Sequence, residues 1–285
     1  MCKLCQWLSP KPEPKIEPEI IIPDEKTEKY ALLVGINEYP PEWDCNLSGC
    51  VNDVEGLRSD LINMFGFHPD NIRVLTDSRA TKNNIVDRLL WLIDHADSEL
   101  VFQYSGHGSQ VRDRDGDELE DGLDEILCPY DMDFDNPLTD DLLDTIFKNL
   151  SENSFLTFIC DACHSSSMSR NIPKKISKAR YLKPPRDIAL RSANREFDNR
   201  KIGSKSCLNH VIYSGCQDHQ TSADAYIDGK WQGAFTAAVR KNLSSFIYPT
   251  DLDIKVQKTI KLQGFSQTPS LNGREIDTRP IFGGA

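Results

Sequence analysis

The chain has 285 residues, 39% hydrophobic and 27% charged, with 33 Lys and Arg against 44 Asp and Glu for a formal charge of −11. That composition permits a sizeable core and argues against wholesale disorder, and the acidic excess disfavours non-specific binding to DNA or anionic lipid. No apolar run approaches the roughly 20 residues of a membrane span. The first 29 residues lack a secretory leader's pattern, and no Gly-rich nucleotide loop appears. The expectation is a cytoplasmic monomer with neither nucleic acid nor membrane as a partner. Nine cysteines at irregular spacing argue against a secreted disulfide framework, and Cys2 and Cys5 form a lone CxxC without the further ligands a zinc site needs.

Residues 1–28 read as an extended tail, because Pro10, Pro12, Pro14, Pro18 and Pro23 stop helix and little apolar surface is available. Residues 31–36 are a continuous apolar run, as in a strand buried on both faces. A helix is predicted over 52–64, with Val54, Leu57, Leu61 and Ile62 at helical spacing and Asn52 or Asp53 near its start. A strand at 72–75 follows. Thr81 can cap a helix reaching about residue 94, with Ile85, Leu89, Leu90 and Leu92 facing inward. The strand at 100–104 runs into Ser105-Gly106-His107-Gly108. After a short strand at 125–127 and a helix at 140–150, the strand at 155–160 runs into Asp161-Ala162-Cys163-His164-Ser165. From about residue 168 to 206 the periodicity dissolves into Lys, Arg, Ser and Asn, which predicts an exposed, flexible basic linker. Order resumes with a strand at 210–214 and helices at 233–243 and around 252–260. Alternating strands and helices imply an α/β fold: a mostly parallel sheet with helices on both faces. In such sheets ligands collect outside the strands' carboxyl ends, where both His107 and Cys163 fall.

A lone cysteine is usually a packed one. Cys163 stands instead in a small polar turn where burial is hard to complete, and a thiolate there could be supported by an imidazolium. The glycines flanking His107 would allow unusual backbone angles and a close approach of substrate to the main chain.

Together these segments resemble the metacaspases, within the caspase-like cysteine peptidases. The matching motifs are Ser105-Gly106-His107-Gly108 and Asp161-Ala162-Cys163-His164-Ser165, supported by residues 47–53, 214–224, 233–236 and 267–269, so the likeness runs over about 29–284. The resemblance implies the caspase-like α/β/α sandwich and one peptidase domain over 29–285. Within it, 29–168 would be a large part with the catalytic pair, 169–206 the linker and 207–285 a small part. It further implies Cys163 as nucleophile, His107 as the group protonating the leaving amine, and the Gly108 and Cys163 N–H groups as the oxyanion site. His164 has no assigned role.

By the same resemblance, Asp161, Asp53, Cys50 and Ser105 would line a primary pocket for Arg or Lys, since carboxylates attract a guanidinium or ammonium and repel Asp. Simpler alternatives stay open: a helix cap for Asp53, a turn carboxylate for Asp161, packing for Cys50. The chemistry needs no cofactor. Calcium would be an activator, held by Asp124, Asp140 and Asp141; the family's further Asp position falls at Arg170, and a solvated acidic hairpin is the alternative. The basic linker offers self-processing sites. The implied partners are protein or peptide substrates with Arg or Lys at P1, in proteolytic signalling, stress response or regulated cell death. An Asp-specific caspase and a catalytically silent interaction or calcium-sensing module are the competing readings.

Overall fold

The first strand, β1 (Lys29–Gly35), buries Ala31, Leu32, Leu33 and Val34 completely, which requires packing on both of its faces. The computed structural model describes residues 27–112, 123–163, 177–186, 188, 210–216, 222–273 and 276–284. After β1 come α1 (Cys50–Phe65), β2 (Ile72–Thr76), α2 (Lys82–Ile93), β3 (Glu99–Ser105), β4 (Gly108–Arg112), β5 (Leu123–Leu127), β6 (Leu138–Thr139), α3 (Asp140–Phe147) and β7 (Phe155–Asp161). Then follow β8 (Ser177–Ala179), β9 (His210–Ser214), β10 (Ala223–Ile227), β11 (Lys230–Gly233), α4 (Ala234–Asn242), α5 (Pro249–Leu262) and β12 (Ser270–Gly273).

Among the described residues the central sheet has the order β12-β9-β7-β3-β1-β2. β2, β1, β3, β7 and β9 are parallel and β12 is antiparallel at one edge. Alternate side chains of β1 enter opposite cores. Leu32 and Val34 join Phe102, Leu156 and Phe158 with Leu89 of α2 and Phe147 of α3. Ala31 and Leu33 join Val101 and Ile159 with Leu57 of α1, Phe235 of α4 and Val256 of α5. Each buried Val, Leu, Ile or Phe side chain contributes roughly 1.5–3 kcal/mol of transfer free energy, and the two layers complete the α/β/α sandwich.

Thr81 caps α2 as predicted, its hydroxyl accepting from the Asn84 N–H. Leu90 departs from expectation and is exposed. Ile85, Leu89 and Leu92 already define the buried stripe, and at about 100° per residue Leu90 falls well outside it. Asp53 does not cap α1; Gly49 stands at the N-cap without a side-chain bond, and Asp53 is buried.

The expected linker also departs. β8, inside it, pairs antiparallel with β10, and Arg180 beyond it is fully buried. Residues 169–176, 187 and 189–206 of that stretch, the tail to residue 26, and the acidic segment 113–122 lie outside the described residues, as do His164 and Arg170.

Candidate active site

Ser105 on β3 and Asp161 on β7 are paired in parallel register, about 4.8 Å apart as neighbouring strands are. His107 and Cys163 each lie two residues beyond that pair, so two positions 56 apart in sequence leave the sheet side by side. Among the glycines flanking His107, neither has a positive φ. They serve close approach instead: a Cβ on Gly108 would stand 2.4 Å from the Cys163 carbonyl oxygen, and one on Gly106 would stand 2.7 Å from the Tyr104 hydroxyl.

His107 is held at both ends. Its backbone N–H donates to the Tyr39 hydroxyl (2.9 Å), and its carbonyl accepts from the Tyr104 hydroxyl (2.9 Å). Nε2 meets the Cys45 carbonyl at 2.6 Å. A carbonyl can only accept, so Nε2 carries the proton and Nδ1 presents a lone pair. Burial pushes the imidazole down to about 4, opposed by the Cys45 carbonyl and by the nearby Arg180 backbone. Nδ1 makes no hydrogen bond of ordinary geometry.

Cys163 is fully buried rather than open in its turn. Its Sγ accepts from the Ser222 N–H at 2.6 Å. Burial, then the Cys216 thiol beside it, raises the Cys163 thiol well above its ordinary value. The cover is the chain's own residue 180, whose carbonyl oxygen accepts from the N–H of Cys163 (3.1 Å) and of Gly108 (3.0 Å).

The Arg180 side chain fills a pocket floored by carboxylates. Nη2 meets Asp53 Oδ2 at 2.7 Å and Asp224 Oδ1 at 3.1 Å, and Nη1 meets Asp161 Oδ2 at 3.2 Å; all four side chains are buried. Arg180 Nη1 also donates to the Asp161 carbonyl at 3.2 Å. The carboxylates are positioned in turn. Asp161 accepts from Ser222 Oγ, the Thr236 hydroxyl and the Thr236 N–H at 2.5, 2.6 and 3.0 Å. Asp53 accepts from the Gly233 N–H at 2.9 Å, and Asp224 from the Ser48 N–H at 2.8 Å. Burial pushes Asp53 up to about 7 against the pull of Arg180, with Asp161 adding to the rise. Gly233 forms a wall: a Cβ there would stand 2.1 Å from Asp161 Oδ2 and 2.7 Å from Arg180 Nη1.

Of the expected pocket residues, the structure therefore brings Asp53 and Asp161 onto one guanidinium. Cys50 is buried within electrostatic reach of Arg180, its thiol raised chiefly by burial. Ser105 is buried beside Asp161 in register. Sequence reasoning missed Asp224, the Cys45 carbonyl and Ser222, and placed Arg180 only among the basic residues of the exposed linker. Asp224 left one signal, a carboxylate set between Ala223 and Ala225 where a strand interior was apolar.

Thr139 pairs with Ile126, so β5, which carries Asp124, adjoins the start of α3, which carries Asp140 and Asp141. Among the described residues no group of three or more His, Cys, Asp or Glu side chains forms a metal-holding set. No described helix is long and apolar enough to cross a membrane.

A cysteine and a histidine at adjoining strand ends, two amides on one carbonyl and a mostly parallel six-stranded sheet define a caspase-like cysteine peptidase. Residues 29–171 match the model for the metacaspase, peptidase C14 domain. The chain is similar to Metacaspase-1 of Candida glabrata (31% identical, covering 86% of this chain and 72% of that protein) and Metacaspase-1 of Eremothecium gossypii (29%, covering 94% and 70%). The fold resembles that of caspase-1 from Spodoptera frugiperda, with a TM-score of 0.60 at 14% identity over 98% of each chain. A Geobacter sulfurreducens protein of known structure aligns with a TM-score of 0.64 at 25% identity, over 90% of this chain and 98% of that one. The chain belongs to the metacaspase family of cysteine-type peptidases, whose substrates are proteins.

Proposed function

We propose that this metacaspase is an endopeptidase cutting after Arg or Lys, with Cys163 as nucleophile and His107 as its acid–base partner. The observation that carries the reading is Arg180: its guanidinium lies on Asp53, Asp161 and Asp224 while its carbonyl oxygen lies on the Gly108 and Cys163 amides. A pocket of three carboxylates sealed from water needs a cation, because leaving buried charge unpaired costs about 3–5 kcal/mol. An aspartate there would add like charge. Arg180 Nε has no partner, so the pocket grips the charged tip, which a lysine ammonium also supplies.

In this reading the Cys163 thiol passes its proton to His107 Nδ1, and the sulfur adds to the carbonyl carbon. The two amides hold the developing oxyanion. His107 then returns the proton to the leaving amine, and water resolves the thioester. The Cys45 carbonyl fixes the tautomer throughout, the part a third side chain plays in other peptidases.

Calcium enters the proposal only as a stimulator near Asp124, Asp140 and Asp141, and no step uses it. Roles in proteolytic signalling, stress response or regulated cell death belong to the same proposal. Paired fluorogenic peptides ending in Arg, Lys and Asp, with and without calcium and with Cys163→Ala as control, test it. Turnover of Arg and Lys peptides alone is expected. Asp-only turnover favours a caspase specificity, and no turnover favours a silent module.

A further inference from the structure

We infer that Gln267 is a positioning residue of this active site, holding the segment 222–224 so that one amide N–H bonds the Cys163 sulfur while two carboxylates stay in the pocket. The inference rests on Cys163 being the nucleophile, as read above, and gives a task to a side chain which that reading leaves unused.

Sheet topology brings Gln267 to the site. Ser270 of β12 pairs antiparallel with Ser214 of β9, so the chain arriving at β12 passes over the carboxyl end of β9. Gln267, three residues earlier, meets that end and is buried. Its Oε1 accepts from the Ala223 N–H at 3.1 Å. Its Nε2 donates to the Gly215 carbonyl at 2.9 Å and to Ser222 Oγ at 3.3 Å. The partners set which way the amide points, because a backbone N–H only donates and a carbonyl only accepts. Gly215 is tied in turn to β7, its N–H donating to the Cys160 carbonyl at 2.8 Å. Gln267 thus clamps residues 222 and 223 to the end of β9, beside the strand that leads to the nucleophile.

What the clamp holds is chemical. The Ser222 N–H donates to Cys163 Sγ at 2.6 Å, and the thiol can donate to the Ser222 carbonyl at 3.3 Å. Once the thiol loses its proton the carbonyl has no donor there, and the N–H remains on the sulfur. Ser222 accordingly opposes the upward push on this thiol from burial and from Cys216. The Ser222 carbonyl and the Ala223 N–H share one peptide plane, so the bond to Gln267 Oε1 also sets how that carbonyl faces the sulfur.

A staple that only closed a loop would need the two main-chain bonds. The third bond does more. Nε2 occupies a lone pair of Ser222 Oγ, which leaves the single hydroxyl hydrogen for Asp161 Oδ1 at 2.5 Å. Asp224, next after the clamped Ala223, places Oδ1 3.1 Å from the Arg180 guanidinium. One buried amide therefore steadies a donor at the nucleophile and two of the three pocket carboxylates.

The test follows alkylation of Cys163 by iodoacetamide against pH in the full-length chain, mapped by mass spectrometry, together with kcat and KM on an Arg-ended peptide. Gln267→Met keeps the length of the side chain and removes both polar groups. We expect its alkylation curve to move up by about one pH unit or more, as for loss of a hydrogen bond to a charged group. Its kcat/KM should fall about tenfold or more, with KM rising as the pocket loosens. Gln267→Glu keeps the inference testable should Gln267→Met fold poorly. A protonated carboxyl can donate to Gly215 and accept from Ala223 as the amide does, whereas a carboxylate cannot donate. Burial favours the protonated form, so kcat/KM relative to wild type should be near one at the acid end of the activity range and fall as pH rises. A folded Gln267→Met whose alkylation curve overlays wild type and whose kcat/KM stays within twofold overturns the inference and leaves the nucleophile assignment standing. A Gln267→Glu ratio that is the same at every pH does likewise. Peptidase activity that survives in Cys163→Ala, or is absent from wild type, sinks the nucleophile assignment and the inference with it.

Discussion

The N–H groups of Gly108 and Cys163 converge on one oxygen atom, 3.0 and 3.1 Å away, although the two residues belong to different strand ends. The convergence follows from the parallel pairing of β3 with β7 and from a glycine that lets the main chains approach. Both donors are backbone groups held by the sheet, so they need not reorganise as charge develops, which is the condition for effective oxyanion stabilisation. Gly108→Ala should therefore lower kcat on Arg peptides by about 10²–10³-fold. Its Cβ would stand 2.4 Å from backbone that cannot turn away. A kcat within a few-fold of wild type would contradict this geometry.

Asp224 is the pocket carboxylate that local sequence reasoning did not assign. Losing one partner of a buried, hydrogen-bonded charge pair costs roughly 2–5 kcal/mol. Asp224→Asn should thus reduce kcat/KM for Arg peptides by about 30-fold or more, without creating turnover of Asp peptides. Steady-state kinetics on the peptide pair checks it. Unchanged kcat/KM would place the substrate cation elsewhere.

Gly233→Ala should act on the same pocket by volume instead of charge. The added methyl would overlap both Asp161 Oδ2 and the seat of Nη1. KM for Arg peptides should rise more than kcat falls, since the guanidinium is displaced while the nucleophile and amides stay in place. Equal or opposite changes would argue against a steric wall.

Tyr39→Phe would leave the buried His107 N–H without its acceptor. An unsatisfied buried donor costs about 1–3 kcal/mol, which should appear as a lower urea midpoint. The unchanged thermal or chemical stability of the variant would show that the hydroxyl does not anchor the histidine loop.

Two buried groups give opposite pH limbs. His107 stays neutral down to about 4 in the folded chain and titrates near 6.5 when unfolded. Between those values the unfolded state binds more protons, so stability is full above about pH 6.5 and falls toward pH 4, by roughly 3 kcal/mol. Glu99 runs the other way. Burial, tempered by Arg279 and Lys29, holds its proton up to about 8, against 4.5 ordinarily. Its neutral form favours the fold below about pH 4.5, and that advantage is lost as pH rises toward 8. His107→Asn should flatten the acid limb and Glu99→Gln the alkaline one, read from urea denaturation across the range. Slopes unchanged in both variants would refute the assignment.

Much of this was legible along the chain because it is local. The 3.6-residue stripe of Val54, Leu57 and Leu61 marked α1, and the unbroken apolar run of β1 announced burial on two faces. His107 and Cys163 could be picked out because each follows a strand that its own residues specify. Short strands such as β10 and β11 were missed, since their pairing gives them more stability than their composition does.

The residue sequence alone marked the main strands and helices of the sandwich, the places of His107 and Cys163 just past two strand ends, and Asp53 and Asp161, two of the carboxylates that folding brings onto one cation. Only the tertiary structure decided what occupies that pocket. Arg180 lies 127 positions from Asp53 and 44 from Asp224, in a stretch whose composition promised solvent. A buried charge is set by partners that folding brings from elsewhere in the chain, and neither periodicity nor spacing carries that information.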